Sequence, residues 1–171
     1  MHRLVVHLDD EAASVARFGP VLYVVWRKPE TPIAVPHMDA AADAILSQYG
    51  GGRNLLYVHR TPNMPSVALH SDETYEAVMA HFDRTERHSR AAGLGLEVSG
   101  FIGAAVRAMV AGVLLARRSE VKTKAFRDAR LAVRWLAQQT SIDAPFDPDA
   151  LIDQLRGHEL CRVVGFEQDF R

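Results

Sequence analysis

The sequence predicts an α/β domain in which helices cover a mixed β-sheet, with a short helical extension at the C-terminus. Segments with strand-like and helix-like patterns alternate along the chain, as expected when helices pack on a mostly parallel or mixed sheet. Two short apolar runs, 21–26 and 55–58, are rich in β-branched and aromatic residues, which is typical of strands buried on both faces. We assign residues 1–140 to the α/β domain and 141–171 to an extension that packs on it.

The composition limits the classes of protein to consider. The chain has 171 residues, of which 48% are hydrophobic, enough for one domain with a core and inconsistent with intrinsic disorder. The net charge of -1 comes from interspersed acids and bases, so we expect no nucleic-acid partner. The single cysteine, Cys161, cannot form an internal disulfide, which fits a reducing compartment. Because we find neither a signal-peptide pattern nor an uninterrupted apolar stretch of ~20 residues, we expect a cytoplasmic protein without a membrane span.

The first half of the chain predicts three strands and one helix. An alternating segment near the N-terminus ends in an acidic turn, and the two apolar runs form interior strands. Apolar residues at helical spacing predict the helix, which the glycines at 50–52 terminate. The elements are a first strand at 4–8, an interior strand at 21–26, a helix from Pro36 to Tyr49 and a second interior strand at 55–58, followed by a proline-containing loop at 59–70.

The second half predicts two further strands and four helices. Ser71 is a good N-cap for the first of these helices, and Asp128 and Asp147 have the same role further on. Leu131, Ala132, Trp135 and Leu136 share one face of the penultimate helix. The elements are a helix at 72–90, a strand at 94–98, a strongly apolar helix at 100–117, a strand at 122–126, a helix from 129 that contains the Trp-Leu pair, a linker at 140–146 and a final helix at 149–156.

A family resemblance emerges from the strand–helix order and from residues 93–139. There a strand ends at Val98, Ala-Val-Arg lies in the apolar helix, and Lys-Ala-Phe-Arg-Asp precedes a helix with Ala-Val-Arg-Trp-Leu. With these motifs the chain resembles the STAS domain, the fold of bacterial anti-sigma-factor antagonists and their SpoIIAA-like relatives. The likeness covers roughly residues 20–138. It implies a STAS-like mixed sheet covered by helices, and a non-enzymatic regulatory domain that binds another protein or itself.

The resemblance also implies where a partner would bind. In phosphorylated members of the family, a serine or threonine lies at the N-terminus of the helix that follows the second interior strand. The matching place here is Ser71-Asp72, although the Asp-Ser-Ser-Gly-like motif of those members is absent. A phosphate would be compatible with a helix N-terminus. The resemblance therefore makes the loop 59–71 the contact region, with His59, Arg60, Ser71 and Asp72 as candidate partner-binding or switch residues.

The helix at 100–117 raises a separate question, because it is apolar on nearly every side. Such a helix must be covered on both sides. One side can pack on the sheet, and the other needs the final helix, a second subunit in a homodimer, or an apolar ligand. The last possibility gives an alternative function, a carrier of small apolar molecules or lipids. The candidate residues for this dimer-forming or ligand-covering surface are Phe101, Val106, Met109 and Val113.

Metal binding is not indicated by the eight histidines of the chain. His81 and His88 lie seven residues apart on one predicted helix, and His70 precedes them. A metal site needs three or four converging ligands with supporting hydrogen bonds. The residues between these histidines instead have the pattern of a solvated helix surface. We expect no metal and no cofactor.

Enzymatic chemistry is not indicated either. Cys161 lies near His158 and Glu159, but nothing around it predicts an oriented base or an oxyanion site. Asp147 and Asp149 begin a helix rather than form a catalytic carboxylate pair. The glycines at 50–52 follow a helix and precede a strand, whereas a phosphate-binding loop follows a strand and precedes a helix. We therefore predict no catalytic residues and no enzymatic activity.

Overall fold

The computed structural model describes residues 2–27, 32–50, 52–62, 72–97 and 119–158. Six strands and four α-helices lie in this part of the chain, together with two short 3-10 helices, Pro32–Ala34 and Glu86–His88. The elements are β1 (Val5–Asp9), β2 (Ala13–Phe18), β3 (Val21–Trp26), α1 (Val35–Tyr49), β4 (Leu55–Pro62), α2 (Asp72–Thr85), β5 (Ser89–Glu97), β6 (Lys122–Phe126), α3 (Ala129–Ala137) and α4 (Pro148–Gly157).

The strands form one mixed sheet in the order β1-β2-β3-β4-β5-β6. The first two pairings are antiparallel and the other three are parallel. The predicted α/β class with a mixed sheet is thus confirmed. All six residues of β3 are buried, as expected for an interior strand.

The N-terminal strand pair corrects the sequence interpretation, which contained no strand between the acidic turn and β3. The Asp10 side chain accepts hydrogen bonds from the backbone N–H groups of Ala12 and Ala13 at 2.8 and 2.7 Å. This side-chain-to-backbone turn reverses the chain and starts β2. Arg17 and Ser14 interrupt the apolar pattern of β2, so its sequence does not have a strong strand signal.

Helices cover the sheet on both faces. On one face α1 and α2 pack over β2–β4, with Met38, Ala41 and Ile45 of α1 fully buried. On the other face α3 and α4 pack over β1–β5. Alternation along β4 fixes which side chain enters which layer. Leu55 and Tyr57 lie on the α1–α2 side, and Leu56 and Val58 on the α3–α4 side.

The boundary between α2 and β5 also differs from the prediction. The helix ends at Thr85 rather than near Arg90, and β5 starts at Ser89 instead of Leu94. The Ser89 hydroxyl donates to the Thr85 carbonyl at 2.8 Å and so satisfies a group at the helix end. The first half of β5 consists of small and polar residues, which have weak strand propensity.

Two glycines of β5 allow α3 to contact the sheet backbone directly. A Cβ atom on Gly93 would lie 2.8 Å from the Cβ of Ala132, and one on Gly95 would lie 2.8 Å from the Cα of Ala129. The buried face of α3 therefore consists of Ala129, Ala132, Val133 and Leu136. The prediction that Leu131 shares this face is wrong, because Leu131 is 41% exposed.

The C-terminal helix α4 joins the N-terminus of the chain to the core. Leu151, Ile152 and Leu155 are buried in the same hydrophobic cluster as Leu4. The Gln154 side chain accepts from the Leu4 backbone N–H at 2.7 Å and donates to the His2 carbonyl at 3.2 Å. In the described ranges, no helix is both long and apolar enough to cross a membrane.

Candidate functional site

The carboxyl ends of β3, β4 and β5 form the candidate site. In open α/β sheets, ligands and partners generally bind at this edge of parallel strands. Trp26 lies at the end of β3, His59 and Arg60 lie in β4, and Glu97 ends β5. Because successive side chains of a strand point to opposite faces, these residues divide into one cluster beneath α1 and α2 and another beneath α3.

His59 belongs to the α1–α2 cluster and is 8% exposed. Its Nδ1 accepts from the Trp26 indole N–H at 3.2 Å. The imidazole also stacks on Tyr57, with ring centroids 5.6 Å apart and an angle of 14° between planes. Burial, together with the nearby His81, lowers the pKa of His59 to about 3. The ring is therefore neutral at physiological pH, and its proton lies on Nε2.

A chain of hydrogen bonds links α1, α2 and β4 next to His59. Nδ1 of His81 lies 2.5 Å from Oδ1 of Asp39, and Nε2 of His81 lies 2.8 Å from the Tyr57 hydroxyl. Tyr57 also contacts the Thr85 hydroxyl at 2.8 Å, and Thr85 donates back to the His81 carbonyl at 2.9 Å. We call Asp39, His81, Tyr57 and Thr85 the relay.

The number of protons determines what the relay can do. Its four contacts need one proton each. When Asp39 is ionised, the neutral side chains of His81, Tyr57 and Thr85 supply three of these protons. The relay can therefore accept one further proton, on the second ring nitrogen of His81. Burial lowers the pKa of His81, and the Asp39 carboxylate opposes this effect only in part. Burial also raises the pKa of Tyr57, so the phenol stays protonated.

The relay reaches solvent at a cluster of charges between α1 and α2. Arg84 donates to Asp39 at 2.5 Å and to Asp43 at 2.8 Å. Burial raises the pKa of Asp39, but the hydrogen bonds from His81 and Arg84 lower it more, so the net pKa lies below its ordinary value. Asp39 is therefore ionised at neutral pH, and its carboxylate binds both His81 and Arg84 of α2.

The α3 cluster contains a buried ion pair. Arg60 is 1% exposed, and its Nε and Nη2 donate to the two carboxylate oxygens of Glu97, each at 2.8 Å. Glu97 also accepts from the backbone N–H of Ala129 at 3.4 Å, in the first turn of α3. A carboxylate at this end of a helix is favoured by the helix dipole. The pair therefore anchors both β4 and the start of α3.

Asp128 continues this cluster as the N-cap of α3. Its Oδ1 accepts from the Arg130 backbone N–H at 2.7 Å, which confirms the predicted cap. Burial raises the pKa of Asp128, whereas the hydrogen bonds from Arg130 and the charge of Arg60 lower it, and the net pKa is below its ordinary value. The cluster thus contains two ion pairs, Arg60–Glu97 and Arg130–Asp128.

The structure brings two of the predicted site residues to this edge. His59 and Arg60 are neighbours in sequence, yet they lie on opposite faces of the sheet and are buried. Asp72 is the first residue of α2. The remaining candidates lie outside the described residues: Ser71, Phe101, Val106, Met109 and Val113.

Sequence reasoning missed the relay. The sequence analysis considered His81 only as a metal ligand and rejected that role, whereas the structure buries its side chain, which is 2% exposed. The sequence contains one signal, the helical spacing of Thr74, Val78, His81 and Thr85, and the structure buries all four. Asp39, which is 42 residues from His81, has no local signal that connects it to α2.

The opposite side of α2 faces solvent. We call Glu73, Glu76, Ala80 and Asp83 the outer face of α2, since all four are exposed and recur at helical spacing. Within the described part of the chain, no group of three or more histidine, cysteine or carboxylate side chains is arranged to hold a metal ion. Comparison of the chain with protein-family models, curated proteins and solved structures found no match in any of the three.

Proposed function

We propose that this chain is a non-enzymatic, STAS-like regulatory domain that acts by binding another protein or a second copy of itself. The contact surface in this proposal is the start and the outer face of α2. Support comes from the order of elements, because the interior strand β4 is followed by a helix that starts at Asp72. Residue 71 thus directly precedes the first helical residue, where the resemblance places the switch serine.

The firm attachment of α2 is the observation that carries the proposal. Its inner side is held by the relay and by Arg84, which together connect it to β4 and to α1. Among the residues that the structure describes, no hydrogen bond or ion pair joins the outer face of α2 to another element. A surface that is already ordered loses little conformational entropy when a partner binds. The outer face of α2 is therefore well suited to recognition by shape and charge.

The buried residues have an indirect part in this proposal. His59 and Arg60 are too deeply buried to meet a partner directly, so they act as positioning residues. His59 packs against Phe82 of α2, with ring centroids 5.5 Å apart. Arg60 holds the end of β4 through Glu97. Both side chains hold β4 in position, and β4 is the element that precedes α2 in the described part of the chain.

Site-specific photo-crosslinking in the source cell tests the proposal. A photoreactive amino acid replaces Ala80 on the outer face of α2, and a matched variant carries it at the exposed position Leu131 on α3. We expect discrete adducts from position 80 that are absent from position 131 and that disappear when Glu76→Arg and Asp83→Arg are added. Equal adduct patterns from both positions, or none from position 80, would contradict the proposal.

Self-association is tested with the same variants. Light scattering coupled to size-exclusion chromatography gives the mass of the purified protein in solution. A dimer through α2 would dissociate in the Glu76→Arg, Asp83→Arg variant and remain in an Arg134→Glu variant on α3. The alternative of an apolar-ligand carrier depends on residues 100–117, which lie outside the described residues, so it stays a prediction. Native mass spectrometry of protein purified from cells tests it by detecting co-purified lipid.

A further inference from the structure

The last strand of the sheet, β6, has an unpaired edge in the described part of the chain. It pairs with β5 on one side and stands at the end of the strand order. On the other side, alternate residues of such a strand direct their backbone N–H and C=O groups outward. No hydrogen bond joins these groups to another described element. A row of unpaired donors and acceptors is a template on which a further strand can pair.

The two edge strands of the sheet differ in how well they would accept another strand. At the opposite edge, β1 has a register irregularity between Val6 and Leu8. Irregularities of this kind interrupt the regular row of backbone groups and are a common protection of sheet edges. The pairing of β6 with β5 continues without a break from Lys122 to Phe126. β6 is therefore the edge that is better suited to extend the sheet.

One face of β6 combines positive charge with an aromatic contact. Lys122, Lys124 and Phe126 share this face because side chains alternate along a strand. It is the face toward α3, since the Phe126 ring lies 5.6 Å from the Trp135 ring of that helix. Nζ of Lys122 lies 3.4 Å from Oε1 of Gln139, just after α3. Both lysines are exposed, whereas the two aromatic side chains are half-buried.

The positive charges at this edge are not neutralised by other residues that the structure describes. Lys122, Lys124 and Arg127 are exposed, and none of the three forms an ion pair there. The acids that flank β6 in sequence, Glu120 and Asp128, form ion pairs with arginines instead. Pairing with a second β6 would bring like charges together, which is unfavourable across a strand pair. An acidic strand would have the complementary charge.

We propose that the free edge of β6 binds an extended acidic segment of a partner protein, which adds to the sheet as a further strand. Backbone hydrogen bonds provide the affinity in this mode of recognition, and alternate side chains provide the specificity. Two acidic side chains, two residues apart, lie beside Lys122 and Lys124, and an apolar side chain at the next position of the same face lies beside Phe126. This surface contains no residue of α2, so it is independent of the function proposed above.

Hydrogen exchange of the full chain, followed by nuclear magnetic resonance, tests the proposal with synthetic peptides. The probe is a capped peptide with the order glutamate, valine, glutamate, valine, leucine, and the reversed order covers the opposite strand direction. We expect one of the two to bind saturably and to slow the exchange of outward-facing β6 amides at least ~10-fold, while β1 amides stay unchanged. Lysine in place of glutamate should weaken binding at least ~10-fold.

Methylated peptides test the backbone pairing separately from the charge. The N–H groups of alternate residues are methylated in two versions of the probe, one for each set. Because only one set of a peptide strand faces β6, one version should lose binding and the other should bind as the unmodified probe does. Equal binding of both versions would show that the peptide does not pair as a strand, and would overturn the proposal.

Charge-reversal variants locate the binding surface. Lys122→Glu, Lys124→Glu should weaken binding of the acidic probe at least ~10-fold and allow the lysine peptide to bind. Arg134→Glu, Arg156→Glu changes the net charge equally, but these arginines pair with acids of α4, so the acidic probe should bind as to the wild type. If the lysine variant does not fold, the methylated peptides on the wild type carry the test.

Three results would overturn the proposal. The first is the absence of saturable binding up to about 1 mM peptide. The second is equal binding of the acidic probe to the two charge-reversal variants. The third is protection of β6 amides that rises with protein concentration in the absence of peptide, since a second copy of the chain would then occupy this edge.

Discussion

Nδ1 of His81 lies 2.5 Å from Oδ1 of Asp39, and this contact joins α2 to α1 across 42 residues of sequence. On its other side the same imidazole contacts Tyr57 of β4 at 2.8 Å. One buried ring thus connects both helices of one layer to the centre of the sheet. The stability of that layer should depend on His81 more than on any exposed histidine.

Replacing His81 should destabilise the protein. In His81→Gln the Tyr57 hydroxyl loses a partner and Asp39 loses a short hydrogen bond, so we expect the free energy of unfolding to fall by about 2 kcal/mol. Urea unfolding followed by circular dichroism measures it. His88→Gln is the matched control on the 3-10 helix after α2 and should change stability by less than ~0.5 kcal/mol. Equal effects of the two substitutions would contradict the role of the relay.

Stability should fall as the solution becomes acidic. The pKa of His59 is about 3 in the folded chain against an ordinary value of 6.5, and burial lowers that of His81 as well. Below pH 6.5 the unfolded chain binds protons that the folded chain excludes, and each neutral buried histidine contributes a loss of up to ~1.4 kcal/mol per pH unit. Urea unfolding between pH 7.5 and 5 should show this decline, and His59→Phe should reduce its slope. If the stability stayed constant or rose as the pH fell over this range, the buried neutral histidines would not have the predicted effect.

Adding a methyl group at Gly93 should separate α3 from the sheet. The new Cβ would lie 2.8 Å from that of Ala132, and overpacking of this kind costs about 1–3 kcal/mol. The melting temperature should drop in Gly93→Ala and recover in part when Ala132→Gly is added. Gly157→Ala is the matched control at the end of α4, since a Cβ built there has no atom within 4 Å apart from its chain neighbours and the nearby backbone of its own helix. A melting temperature of Gly93→Ala equal to that of Gly157→Ala would show that α3 does not depend on close contact with β5.

Removing Arg60 should be more harmful than removing the whole ion pair. Arg60→Met leaves the Glu97 carboxylate without its bidentate partner, and we expect a loss of about 3 kcal/mol, somewhat reduced because Glu97 is partly exposed. The double variant Arg60→Met, Glu97→Gln should regain part of this loss, because the unpaired charge is gone. Denaturant unfolding of both variants gives the comparison. If the double variant is less stable than Arg60→Met, an unpaired Glu97 charge is not the cause.

Local patterns predicted much of the fold. The bounds of β6 at Lys122–Phe126 agree with the sequence, and the Asp128 and Asp147 caps begin α3 and α4 as expected. The two helices have strong local signals in their capping side chains, Asp128 and Asp147. β2 lacks such a signal, since Ser14 and Arg17 make it look polar although neighbouring strands and helices bury it. Tertiary contacts, rather than propensity, determine that strand.

The candidate site was predictable in position but not in arrangement. The family resemblance directs attention to His59 and Arg60 as part of a contact loop at 59–71. That loop starts later than predicted, because β4 extends to Pro62 and contains both residues. Their burial depends on helices that are distant in sequence, so it could not be deduced from the pattern. The partners of these residues, Trp26 and Glu97, lie 33 and 37 residues away. Only the parallel pairing of β3, β4 and β5 brings them together.

Because His59 and Arg60 are adjacent in β4 and face opposite sides of the sheet, they distinguish the correct register of that strand from a shifted one. If β4 paired with its neighbours one residue out of place, every side chain would move to the other face. The guanidinium would then lie beside Trp26 and Phe82, which now contact His59, and the neutral imidazole would face Glu97. Both exchanges would bury a charge without its partner, which is strongly unfavourable. The same two side chains therefore penalise a misaligned sheet while the chain folds.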